Sequence, residues 1–309
     1  MMGKDLLSVA DLTADDIRSL LDHAQGMIGN RGSQLEGKTV ALLFEKPSLR
    51  TRVSFEVAAR HLGGDSLFLP SAEVGVGTRE PVSHVAWVLS RYVDGLVVRT
   101  FAQSTVEELA QHASIPVING LSDHEHPCQA LADILTIRQK KGKLAGLTLA
   151  FVGDANNVAR SLLLASARVG INFHLAAPQA YAMDGNIVSQ ARSAAATGGS
   201  RLLFTQDARE AVAGADVVYT DVWTSMGQEA ESVQRRKDFS AYQVDAGLLS
   251  AAPRAIFMHP LPAHLGEEVA PDVLEGPQSV VFDQAENRLH IQKAVLARLL
   301  SGTRTGERA

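Results

Sequence analysis

The sequence predicts an α/β fold of two similar-sized domains, each a mainly parallel sheet flanked by helices. Three observations carry this. Short apolar, β-branched runs alternate with longer stretches of helical period, the pattern of strands covered on both faces. The alternation runs through twice, with the charged stretch Lys140-Lys141-Gly142-Lys143 between the two passes. The 309 residues suit about two domains at roughly 150 residues each.

In the first pass the predicted strands are Thr39–Phe44, Ser66–Leu69, Gly95–Arg99 and Pro116–Asn119. Helical periods lie between them near Arg52–His61, Val82–Tyr92 and Thr105–His112, and a long helix runs from Pro127 to about Lys140. Pro127 suits a first helical turn, where its missing N–H costs nothing. In the second pass Leu147–Val152, Asn172–Ala176, Arg201–Phe204, Val217–Asp221, Ala255–His259 and Val280–Phe282 read as strands. Asn157–Val169, Ile187–Ala196, Arg209–Ala213 and the terminal Leu289–Leu300 read as helices. The expected segments are 1–142, 143–288 and 289–309, the last a helix crossing back onto the first domain.

Composition excludes several classes of function. Against 29 Lys+Arg stand 34 Asp+Glu, a net charge of −5, and with no long basic run this argues against nucleic-acid and anionic-membrane partners. No apolar run approaches the roughly 20 residues of a membrane span. The opening MMGKDLLSVADL lacks the apolar stretch of a signal peptide. A single cysteine, Cys128, permits no intrachain disulfide and no Cys-rich metal site, and makes the cytoplasm the expected compartment.

In open α/β sheets ligands bind beyond the carboxyl ends of strands, so the loops there are the candidate sites. In Glu45-Lys46-Pro47-Ser48-Leu49-Arg50-Thr51-Arg52, Pro47 stops a strand and Ser48 can cap a helix whose first N–H groups suit a phosphate. Arg50 and Thr51 add a bidentate fork and a hydroxyl. A plain capped helix, with Arg52 and Glu56 as an i,i+4 surface pair, is the alternative. Arg99 ends an apolar strand, where a surface role is the commoner outcome. His126 precedes Pro127 and so should be extended just ahead of a helix N-terminus, which keeps the ring neutral and able to polarise a carbonyl, or leaves it a cap. Cys128 in the same turn is a possible nucleophile, but more readily a small packed residue.

Val152-Gly153-Asp154-Ala155-Asn156-Asn157 occupies a strand-to-helix turn without GxGxxG, which opposes a nucleotide-dependent oxidoreductase. Thr220-Asp221-Val222-Trp223-Thr224-Ser225-Met226-Gly227 follows a strand and offers Asp221 to an ammonium group. His259-Pro260-Leu261-Pro262 offers main-chain acceptors, and Arg288 stands ahead of the predicted terminal helix.

Taken together, Ser48 to Arg52, His126-Pro127-Cys128-Gln129, Asp221 through Ser225-Met226-Gly227, and His259-Pro260-Leu261-Pro262 occur in an order and spacing that resemble the aspartate/ornithine carbamoyltransferase family. The likeness covers essentially the whole chain, and Ser-Met-Gly points to the ornithine branch. It implies carbamoyl transfer from carbamoyl phosphate to the δ-amine of L-ornithine, giving L-citrulline and phosphate. It implies carbamoyl phosphate contacts at Ser48, Leu49, Arg50, Thr51, Arg99, His126, Pro127, Cys128, Gln129, Pro260, Leu261 and Arg288. Arg50, Thr51, Arg99 and His126 would serve catalysis. Ornithine contacts fall on Asn157, Asp221, Ser225 and Met226. The family builds homotrimers, or multiples of trimers, with active sites between subunits, and the resemblance implies that no metal and no organic cofactor are needed.

Three positions depart from the family pattern. Leu49 replaces a Thr, and Pro260 replaces the Cys of the ornithine branch, though its carbonyl remains. Gly75, in the loop Glu73 to Glu80, stands where many relatives carry a Gln. Ala263 lacks the Arg of the aspartate branch. The alternatives are a different acceptor amine (aspartate, putrescine or an acylated ornithine), the oxidoreductase, or a non-catalytic binding paralogue.

Overall fold

The computed structural model describes residues 4–301; residues 302–309 of the expected terminal segment lie outside the described residues. The chain divides into two compact units. The first runs to Leu131 and resumes at Arg288, and the second is Ala132–Asn287.

The first unit holds strands β1 (Thr39–Phe44), β2 (Asp65–Pro70), β3 (Gly95–Arg99) and β4 (Val117–Leu121). They form one parallel sheet in the order β2-β1-β3-β4. Every residue of β3 is buried, as a central strand covered by helices requires. Each fully buried Val or Leu there contributes about 1.5–3 kcal/mol. Helices Leu49–His61, Val82–Tyr92, Gln103–His112 and the start of Pro127–Lys141 follow the successive strands.

The second unit holds β5 (Thr148–Val152), β6 (Asn172–Ala176), β7 (Leu202–Thr205), β8 (Val217–Tyr219) and β9 (Ile256–Met258). These also form a parallel sheet, in the order β7-β6-β5-β8-β9. Helix Asn157–Val169 ends in Gly170 at φ 84°, a left-handed C-cap that glycine supplies without a Cβ penalty.

Two expectations are corrected. Val280–Phe282 is not a strand: Ser279 makes one bridge to Phe257, and the helix Val281–Leu300 begins immediately. Arg288 therefore lies inside that helix rather than ahead of it. The apolar triplet imitates a strand, while the polar residues Gln284, Asn287 and Arg288 hide the helix because their side chains are buried. From Arg288 onward the helix belongs to the first unit. There Lys293 Nζ donates to the carbonyls of Met27 (2.7 Å, buried) and Asn30 (2.6 Å, partly buried), two bonds that fasten it.

Candidate functional site

In the first sheet the direction of strand addition reverses between β1 and β3, which marks the crevice where ligands bind in such folds. The chain leaving β1 turns at Pro47 into the helix Leu49–His61. Ser48 caps this helix, its Oγ accepting the Thr51 N–H at 3.2 Å. The Ser48 hydroxyl lies 3.0 Å from Thr51 Oγ1, and Arg288 Nη2 donates to the same oxygen at 2.6 Å. Leu49 is 76% exposed, so the side chain that departs from the family pattern packs against little and its position offers a main-chain N–H. Arg52 pairs with Glu56 at 2.8 Å, the surface pair read from their spacing.

Arg99, at the end of β3, is buried, and its Nε has no hydrogen-bond partner among the described residues. Burial, with the cations of Arg288 and Arg50 close by, pushes Arg99 down to about 10. Three guanidiniums held this close favour an anion among them. His126 is buried just ahead of the helix Pro127–Lys141. Burial, and then Arg288 and Arg99, hold its imidazole well below the usual histidine range, so it is a neutral ring. Gln129 is buried in the first turn of that helix. Cys128 is fully buried, and burial drives its thiol up to about 12, which suits a packed residue rather than a thiolate nucleophile.

The second sheet reverses between β5 and β8. The turn after β5 passes Gly153, at φ 136°, and reaches Asn156, which caps the helix Asn157–Val169 through bonds from Val158 N and Ala159 N. Asn156 Nδ2 also donates to Asp221 Oδ2 at 2.8 Å, and the Val222 N–H donates to Asp221 Oδ1 at 2.8 Å. Burial raises the Asp221 carboxyl while these donors act in the opposite direction. Asp221 is thus a desolvated acid beside the switch point, suited to a cationic partner.

The loop 222–227 is braced from outside. Arg235 Nη1 donates to Asp154 Oδ2 (2.8 Å) and to the Trp223 carbonyl (3.0 Å), and its guanidinium lies over the Tyr181 ring. Beyond the brace, Ser225 N donates to Gln228 Oε1 at 3.1 Å, and Met226 is 47% exposed. Pro260 and Leu261 follow β9. Leu261 has φ 56°, the one non-glycine residue in the left-handed region among the described residues.

Sequence reasoning placed Asp154 and Asn156 in the turn after β5 but gave neither a partner across the fold, and it missed Arg235, Glu268 and Gln284, which belong to none of the motifs read from the sequence. Gly75 is explained by its backbone: at φ 58°, an added Cβ would lie 2.9 Å from Arg79 Cβ, so this loop shape excludes a Gln there.

Comparison with known proteins places both halves of the chain in one family. The model of the carbamoyl-P binding domain of aspartate/ornithine carbamoyltransferases matches residues 4–139, and that of the Asp/Orn binding domain matches 145–299. The chain belongs to the aspartate/ornithine carbamoyltransferase family. Among relatives in this family, the ornithine carbamoyltransferase of Pyrococcus abyssi is 50% identical over 99% of this chain and 98% of its own. That of Parafrankia sp. is 51% identical over 99% of both chains. The solved structure of the Pyrococcus furiosus ornithine carbamoyltransferase superposes with a TM-score of 0.94 at 49% identity, covering 97% of this chain and 98% of that one.

Proposed function

We propose that the chain transfers the carbamoyl group of carbamoyl phosphate to the δ-amine of L-ornithine, giving L-citrulline and phosphate. The observation that carries the chemistry is the arginine cluster of Arg50, Arg99 and Arg288 beside the capped helix start at Ser48. It supplies a dianion site of guanidinium forks and backbone N–H groups. The full-length likeness to ornithine carbamoyltransferases supports the acceptor.

In this reading Ser48, the Leu49 N–H, Arg50, Thr51, Arg99 and Arg288 hold the phosphate. The segment Pro127-Cys128-Gln129 frames the carbamoyl end, with the Gln129 side chain and the main-chain carbonyls of Pro260 and Leu261 accepting from its NH2. Arg50, Thr51 and neutral His126 donate to the carbonyl oxygen as it gains charge; one such preorganised donor is worth about 100- to 1000-fold in rate. Asp221 takes ornithine's α-ammonium, and Asn157, Ser225 and Met226 bind the amino-acid end. The attacking amine must lose a proton, and with a free value of about 10.4 for such an amine a cationic, partly desolvated surrounding lowers it. The departing phosphate accepts the proton.

We further propose a homotrimer, or a multiple of trimers, whose neighbouring subunits complete one another's active sites. The exposed Trp87, Val88 and Tyr92 on the helix Val82–Tyr92 are an apolar stripe suited to burial. No helix among the described residues is long and apolar enough to cross a membrane, and we place the enzyme in the cytoplasm. Citrulline formation by the purified chain tests the activity, and light scattering against multiples of the 33.0 kDa chain mass tests the assembly.

A further inference from the structure

Leu261 is held in its left-handed conformation by an imidazole that the mechanism does not use. His259 is fully buried. Its Nδ1 accepts the Leu261 N–H at 2.9 Å. A ring nitrogen that accepts carries no proton, so the ring proton sits on Nε2, which lies 3.2 Å from Glu268 Oε1. Glu268, itself fully buried, also accepts the His264 N–H at 2.6 Å. On the other side, the His259 main-chain N–H donates to Gln284 Oε1 at 2.9 Å. Gln284 is fixed in turn by donating to Asp133 Oδ1 (2.8 Å) and to Tyr219 Oη (3.1 Å).

Each bond in this chain is directional, and each of these side chains is buried. The ring can neither rotate nor exchange its tautomer without leaving Glu268 or Leu261 unmatched, which is costly in a dry interior. A left-handed leucine persists only where its surroundings over-determine it, and such residues cluster at functional positions. Pro260, which stands beside His259, provides no side-chain hydrogen-bonding group, so the imidazole has the main chain as its partner in this loop.

We propose that His259 is a positioning residue: oriented by Glu268 and Gln284, it locks Leu261 so that the Leu261 carbonyl faces the carbamoyl NH2. This rests on the carbamoyl contact given to Leu261 above.

The test compares two amide substitutions. In His259→Asn the amide oxygen is attached at the same carbon as Nδ1 and can still accept from Leu261. In His259→Gln the amide reaches the place of Nε2, keeping the Glu268 link but losing the Leu261 acceptor. The expected result is that His259→Gln lowers kcat/KM for carbamoyl phosphate about 100-fold, as a misplaced contact does. His259→Asn should stay within about tenfold of wild type. Inorganic phosphate, which has no NH2, should bind both variants as it binds wild type. Adding Leu261→Gly to His259→Gln should recover activity, because glycine adopts the left-handed turn unaided.

A folded His259→Gln as active as wild type overturns the proposal, as does equal loss in both amide variants with phosphate binding weakened alike. If His259→Gln does not fold, His259→Asn decides alone: activity within tenfold supports the clamp, and a 100-fold loss overturns it. Failure of the wild-type chain to make citrulline would instead refute the parent reading.

Discussion

Arg288 Nη2 donates to the Thr51 hydroxyl oxygen at 2.6 Å, joining the terminal helix to the first turn of the helix after β1. The Ser48 hydroxyl accepts the Thr51 N–H and so points its own proton at the same Thr51 oxygen. With its lone pairs engaged by Arg288 and Ser48, the Thr51 hydroxyl proton is directed outward as a donor. Thr51→Val keeps the shape and removes that donor, and it should cost about 100-fold or more in carbamoyl transfer. Thr51→Ser should retain most of it. Steady-state kinetics of both variants check this, and equal losses would mean that the hydroxyl is not the donor.

The arginine cluster trades stability for binding. Arg99 is buried and crowded by Arg288 and Arg50, so its charged form is disfavoured in the folded state relative to the unfolded chain. The sign follows: below its unfolded value the unfolded state holds the proton more firmly, and ionised Arg99 destabilises the fold at neutral pH. Arg99→Met should raise the melting temperature of the ligand-free protein and abolish its stabilisation by phosphate. For wild type, phosphate at about 100 times its Kd should add about 2.7 kcal/mol. Thermal melts with and without phosphate measure both effects.

His126 should leave no mark on the pH–rate profile near 6.5, because burial and the neighbouring arginines hold its imidazole far below that value. Between its folded value and 6.5 the unfolded chain binds the extra proton, so this residue makes stability rise with pH across that window. For Asp221 the shift is upward, caused first by burial. The ornithine ammonium needs the carboxylate, so KM for ornithine should rise as pH falls toward the raised carboxyl value, while carbamoyl phosphate binding changes less. KM measured for each substrate between pH 5 and 9 separates the two. A limb near 6.5 that disappears in His126→Gln would contradict the neutral assignment.

Much of this was legible in the sequence, for identifiable reasons. Ser48 reads as a cap from Pro47 before it and the helical period after it, and the helix Asn157–Val169 was predicted with the same bounds. The start of Val281–Leu300 was hidden because Gln284, Asn287 and Arg288 turn polar side chains inward, where a hydrophobic period expects apolar ones. The brace Asp154–Arg235 and the clamp Glu268–His259–Leu261 were invisible because their members meet only in three dimensions. Nothing in a sequence of spacings announces that a leucine adopts positive φ.

Cys128 should be chemically silent in the folded protein. With its thiol pushed up to about 12 by burial, only about one molecule in ten thousand carries the thiolate at pH 8. Iodoacetamide should leave it unmodified until the chain is unfolded, when it reacts at the rate of an ordinary thiol. Mass spectrometry of native and denatured samples reads this directly, and rapid labelling of the native protein would refute the packed assignment.

The central claim is the acceptor. Purified chain supplied with carbamoyl phosphate and, at equal concentration, L-ornithine, L-aspartate, putrescine or N-acetyl-L-ornithine should carbamoylate ornithine fastest, with citrulline and phosphate appearing in equal amounts. A folded chain that produces no citrulline, or that carbamoylates one of the other three amines faster, would contradict it.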